Sequence, residues 1–318
     1  MASSKGPSAG AAGATGIRPT SPAAELVGRR LQWLAGEVAL RRDEVARGPG
    51  AGDGAGPDEA VHRMRVATRR LRSLLRTFGS LLEPGTAARL EPELRRLAGV
   101  LGPVRDQEVL LERLRHQLTT LVDSQVPAAV HRGLESLLGA RIAVSRQEAL
   151  AALGDGRCAR LLEQLDNLAA DPPWAGDASL PAAAVLPPLV RRDHRRLSRR
   201  VDRALAAPPG TERDQGLHTA RKAAKRARYG VEALEAAWDG PARRYVRALA
   251  AIQDVLGGHH DAVVAEGFLR HQAESAGDDA AFAYGLLAGM QRAAAHVAER
   301  RLPGAWREAQ RRRPSRWM

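Results

Sequence analysis

The sequence is poor in almost everything that marks a disulfide scaffold, a sheet or a membrane span. One cysteine, Cys158, in 318 residues excludes a disulfide framework and any cysteine-rich zinc module. It reads as a small buried apolar residue. Phe, Tyr and Trp make up only 3% of the chain, too few to supply rows of base-stacking platforms. No run approaches the roughly 18 apolar residues of a membrane-spanning helix. β-branched and aromatic residues are scarce and no clean run alternates with period two, so strands are not expected. Residues 1–22 lack the apolar stretch of a secretory signal and read as a disordered lead. Lysine is nearly missing as well: of 49 Lys and Arg residues only Lys5, Lys222 and Lys225 are lysines.

What remains is rich in Ala, Leu, Arg and Glu, all good helix formers. The formal net charge is +13, which suggests a cytoplasmic protein with an anionic partner. Gly and Pro clusters divide the chain into helical blocks. The pattern predicts helices near 23–47, 58–82, 86–101, 104–119, 126–153, 158–170, 182–206, 211–237, 241–256, 259–274 and 278–300. The GPGAGDGAGP stretch at 48–57 resists ordering, 171–181 reads as a linker, and 303–318 reads as a frayed basic tail. The fold class is all-α.

The second half repeats the first. His62-x-x-Arg65-x-Ala67-x-Arg69-Arg70-x-Arg72 aligns at an offset of 156 with His218-x-x-Arg221-x-Ala223-x-Lys225-Arg226-x-Arg228. Val100-Leu101-Gly102-Pro103-Val104-Arg105-Asp106 aligns at an offset of 155 with Val255-Leu256-Gly257-Gly258-His259-His260-Asp261. Two matches in the same order imply two copies of one helical unit. On a helix, His62, Arg65, Arg69, Arg72 and Arg76 share an arc of about 80° over about 21 Å. Met64, Ala67, Leu71, Leu74, Leu75 and Phe78 form the opposite, core-facing side. In the second copy His218, Arg221, Lys225 and Arg228 form the stripe, beside Lys222. Ala220, Ala223, Ala227, Val231 and Leu234 face the core.

Neither stripe contains an acid within its own helix segment, although exposed helices ordinarily mix signs because like charges at i,i+4 repel. Repeated, register-matched repulsion calls for an anion from outside; a face merely solvated and screened by salt is the plainer reading. Arg191, Arg195 and Arg199 add a third stripe on the helix before the second motif, close enough in sequence to face it across a groove. Residues 61–76, 191–203 and 217–228 hold six, seven and five cations and two acids, so the basicity is local to three helices.

The doubled His-led motif followed by Leu-Gly-x-x-Arg-Asp resembles the CHAD family, the conserved histidine α-helical domain. The resemblance covers about residues 23–302, with repeats at 23–170 and 182–302 joined by 171–181. It implies two pseudo-symmetric antiparallel helical bundles around a basic central cleft or pore. It also implies binding of inorganic polyphosphate and association with polyphosphate granules. Carried over by position, the binding residues are His62, Arg65, Arg69 and Arg72, then His218, Arg221, Lys225 and Arg228. Arg76, Lys222, Arg191, Arg195 and Arg199 join them by geometry. Arg105, Asp106 and Asp261 are expected as structural support at the first turns of helices. His260 stands where the family has the arginine of the second Arg-Asp pair, which puts a symmetric role for Arg105 in doubt. The chain resembles a stand-alone member: the nearest match to the Glu-x-Glu-x-Lys strand of a CYTH-type tunnel domain is Glu91-Pro92-Glu93-Leu94-Arg95, inside a helical block.

This reading assigns no catalytic residue, no cofactor and no metal. Nucleic acid is the alternative partner, since net charge alone fits it. A metal-dependent phosphohydrolase is the enzymatic alternative, invited by His259-His260-Asp261 and by the motif histidines. Against it, cations crowd each motif histidine and the stripes lack clustered carboxylates.

Overall fold

The computed structural model describes residues 16–47, 57–121 and 126–317. Among these, all regular structure is helical: α1 Ala23–Arg47, α2 Pro57–Phe78, α3 Thr86–Leu118, α4 Ala128–Gly154, α5 Gly156–Ala170, α6 Ala182–Ala206, α7 Thr211–Glu232, α8 Glu235–Glu274 and α9 Asp278–Arg311. Residues 1–15, most of the expected disordered lead, and 48–56, most of the glycine-rich stretch, lie outside the described residues. From Ile17 onward the lead is packed. Ile17 is buried, and Pro22 forms an isolated antiparallel bridge with Pro181 in the expected linker.

Two expected breaks do not occur. Gly102-Pro103 does not divide α3, and Gly257-Gly258 does not divide α8. A helix-interior proline costs about 3 kcal/mol and a glycine about 1 kcal/mol relative to alanine. Leu97, Leu101 and Val104 in α3, and Leu256, His259 and Ala262 in α8, are all nearly fully buried on both sides of these residues. Packing on that scale outweighs the local preference. Consequently Asp106 and Asp261 sit in mid-helix, not at a first turn, and His259 is not at a helix start. The true interruption of α8 falls at Trp238 and Asp239, where helical dihedrals are lost just ahead of Pro241. At the other end, α9 runs past Pro303 to Arg311 and buries Trp306 and Ala309, so much of the expected basic tail belongs to the fold.

Apolar side chains form two cores, and each draws on both halves of the chain. The larger gathers α1, α2, α5, α6 and α7 with the N-terminal parts of α3 and α8 and the ends of α4 and α9. The smaller gathers the C-terminal parts of α3 and α8 with α4 and the beginning of α9. Helix α3 leaves the first core at Val104 and enters the second at Leu110; α8 leaves at Leu256 and enters at Ala265. Between these points lies a polar waist containing Arg105, Asp106, His260 and Asp261.

Helix α7 comes close to both α6 and α2 because glycines face them. A Cβ on Gly216 would stand 3.1 Å from Ala204, and one on Gly230 would stand 3.3 Å from Thr77. The C-terminal carbonyls of α2 receive cations from the second half: Arg192 donates to the Thr77 carbonyl at 3.3 Å and Arg226 to the Arg76 carbonyl at 2.6 Å. Buried Asp193 joins the junction, accepting from the Thr77 hydroxyl at 2.6 Å and pairing with Arg226 at 2.9 Å. Asp193→Ala leaves Arg226 and Thr77 without this partner and is expected to cost about 3 kcal/mol, read as a lower urea midpoint at unchanged slope.

Candidate anion-binding site

Helices α2 and α7 bury the faces the sequence marks as apolar: Met64, Ala67, Leu71, Leu74, Leu75 and Phe78 on one, and Ala220, Ala223, Ala227, Val231 and Leu234 on the other. That burial fixes their rotation and turns both motif stripes toward the waist. Arg65, Arg69, Arg221 and Lys225 come together there, near enough that each arginine acts electrostatically on Lys225. Arg65 donates to Asp106 at 2.8 Å, and Arg221 stands 4.0 Å from Asp261. Motif arginine and downstream aspartate thus meet in both copies. Arg69 donates to the Tyr229 hydroxyl at 3.0 Å.

Two carboxylates against four cations leave the cluster positive, and the titrating groups register it. Lys225 is pushed down from 10.5 to about 6, first by burial and then by Arg69, Arg221 and Arg65, with Asp261 opposing. The His218 and His260 rings lie 4.4 Å apart, and both are lowered to about 4. For His218 the causes are burial, then His260 and Lys222; for His260 they are burial, then Arg221 and Lys225. Burial and then Arg105 lower His62. Both motif histidines are therefore held away from the charged form, and Arg105 bears on the site through His62. Arg105 itself reaches Glu108 at 3.3 Å.

The ends of the stripes are occupied differently. Glu91 from α3 accepts from Arg72 at 2.9 Å and from Arg76 at 2.6 Å, so their repulsion is relieved within the chain, which the local sequence does not reveal. Burial opposes ionisation of Glu91, but the hydrogen bonds and charges of these arginines outweigh it and hold its pKa below the ordinary value. Arg228 pairs with Glu232 at 2.8 Å. Lys222 is exposed beside His218. Arg191, Arg195 and Arg199 share one side of α6. Asp193 turns inward to Thr77 and Arg226, and at about 100° per residue these three arginines point roughly the opposite way. Arg192 and Arg196 lie nearer α7, where they act on Arg226. Tyr229 and Glu91 are the contributors that motif spacing does not single out.

The arrangement is an under-neutralised cluster of three guanidinium groups and one ammonium, the guanidinium forks suited to bidentate contacts with phosphate oxygens. Because Glu91 competes for Arg72 and Arg76, Glu91→Gln is expected to tighten polyanion binding several-fold, as measured by calorimetric titration.

The comparisons identify the family. Residues 32–270 match the family model described as CHAD domain. Two Mycobacterium tuberculosis proteins, Uncharacterized protein MT2285 and Uncharacterized protein Rv2226, are each 35% identical over 232 residues, which is 72% of this chain but 44% of theirs. The chain thus spans under half the length of the curated relatives it matches. Among solved structures, PptA from Streptomyces chartreusis superposes with a TM-score of 0.76 at 26% identity, covering 90% of this chain and 100% of that one. The CHAD domain from the plant Ricinus communis gives a TM-score of 0.60 at 26% identity, covering 90% and 95%. With the family match spanning most of the folded chain and the doubled motif meeting at one site, the protein belongs to the CHAD domain family.

Proposed function

We propose that the protein binds inorganic polyphosphate at the waist, as a binding protein rather than an enzyme, and acts in the cytoplasm on polyphosphate or its granules. The observation that carries this reading is the convergence of Arg65, Arg69, Arg221 and Lys225 around only two aspartates. A linear polyphosphate presents about one negative charge per unit and no bases. Nucleic acid is less well matched, because the aromatic ring at the cluster, Tyr229, is buried and bonded to Arg69 and offers no stacking face. No helix among the described residues is long and apolar enough to cross a membrane. The test is titration with polyphosphate of defined lengths across a salt series, with RNA as competitor. Log affinity is expected to fall linearly with log salt, through counterion release, and long-chain polyphosphate to displace RNA. A salt-independent affinity, or preferential retention of RNA, rejects the reading.

A further inference from the structure

A second polar constellation lies behind the cation cluster, where α7, α8 and α9 meet. Nε2 of His259 stands 3.1 Å from Oδ1 of Asp214 and 3.5 Å from Oε1 of Glu299. The other oxygen of each carboxylate is already engaged: Arg292 donates to Oδ2 of Asp214 at 3.2 Å and Arg213 to Oε2 of Glu299 at 3.3 Å. His259 is only 2% exposed, and although its Nε2 and the Oδ1 of Asp214 stand 3.1 Å apart, they are not aligned for a hydrogen bond, so both atoms are buried without a well-aligned partner. Three ligating atoms therefore converge within 4.8 Å of one another, each carboxylate oriented from behind by an arginine.

We propose that Asp214, His259 and Glu299 bind one divalent transition-metal ion of the Zn2+ class. One imidazole nitrogen and two carboxylate oxygens form a donor set that zinc accepts, with bonds of about 2.0–2.2 Å. Tetrahedral coordination at such lengths places ligand atoms about 3.3 Å apart, close to the two separations observed from His259. Arg213 and Arg292 act as outer partners that hold the carboxylates in place. Entry is available because Asp214 also lines an open cavity of about 730 Å3, shared with His218, His260 and Glu266. Water from that cavity completes the coordination. The site differs from the family's motif histidines: His62 and His218 are surrounded by cations, whereas carboxylates surround His259, with Glu266 adding a third that reaches Arg292 at 2.7 Å.

The test uses the full-length protein, stripped with a chelator and free of polyphosphate. Calorimetric titration with Zn2+ is expected to give one site per chain and a raised melting temperature. Co2+ is expected to give the visible absorption of a low-coordinate nitrogen and oxygen site. His62→Gln is expected to retain both signals, and His259→Gln to lose both. Should His259→Gln not fold, Glu299→Gln is expected to weaken Zn2+ binding at least tenfold. Absence of stoichiometric Zn2+ uptake by the unaltered chain overturns the proposal. So does uptake that survives either cluster variant, or that is lost with His62→Gln.

Discussion

Replacing Arg65 and Arg221 together by alanine is expected to weaken polyphosphate binding at least about a hundredfold while the protein stays folded. Hydrogen bonds to charged groups contribute roughly 1.5–3 kcal/mol each, so two lost contacts amount to about 3 kcal/mol or more, two orders of magnitude in affinity. The fold tolerates the change because neither arginine holds the core together. Asp106 is 67% exposed, so water takes over from Arg65, and Asp261 already stands 4.0 Å from Arg221. Removing two of four crowded cations relieves repulsion on Lys225 as well, so the melting temperature of the free variant is expected to match or exceed that of the parent. Unchanged affinity, measured at the same salt, removes the waist as the site. Arg72→Ala is the informative comparison, with a smaller loss because Arg72 is already bonded to Glu91.

The second large effect is a pH dependence carried by Lys225. Its ammonium is lowered to about 6 in the free protein, by burial and by Arg69, Arg221 and Arg65, against Asp261. At pH 8 it is uncharged in most free molecules. A bound polyanion favours the charged form and returns the pKa toward 10.5. Binding then takes up a proton, so affinity rises as pH falls from 10 to 6; below 6 the Lys225 contribution levels off and any further rise comes from the lowered His218 and His260. The slope approaches tenfold per pH unit where the uptake is one full proton, between about three and four orders of magnitude across the window for a full return to 10.5. Titrations in buffers of different ionisation enthalpy read this uptake directly. Lys225→Met is expected to flatten the profile above pH 6. A flat profile in the unaltered protein, or affinity that rises with pH, contradicts the expectation. The choice of residue makes physical sense in a chain whose cations are nearly all arginine. An arginine at 225 would hold its charge against three others, whereas lysine can release its proton until an anion arrives.

Much of this was legible in residue spacing. The 3.6-residue pattern around His62 and His218 gave the buried faces of α2 and α7, and the offset repeat brought Arg65 with Asp106 and Arg221 with Asp261. The helical linkage across Gly102-Pro103 and Gly257-Gly258 was not legible, because local propensity argues for breaks and only the two cores overrule it. Relief of Arg72 and Arg76 by Glu91 was hidden for a similar reason: the partners are 19 and 15 residues apart and meet only once α2 and α3 pack. Arg191, Arg195 and Arg199 looked like a facing stripe because i,i+4 spacing shows which residues share a side. It does not show which side turns inward, and in α6 that choice belongs to Leu197, Val201 and buried Asp193.

Pro103 and the Gly257-Gly258 pair survive inside their helices at the same level, in the waist between the cores, where local propensity weakens both helices. Below the waist the smaller core is joined to the larger through α3, α4, α8 and α9, and the Arg65–Asp106 and Arg221–Asp261 contacts lie at this joint. A polyanion that draws both arginines away from their aspartates therefore redistributes charge at the level where the two cores meet.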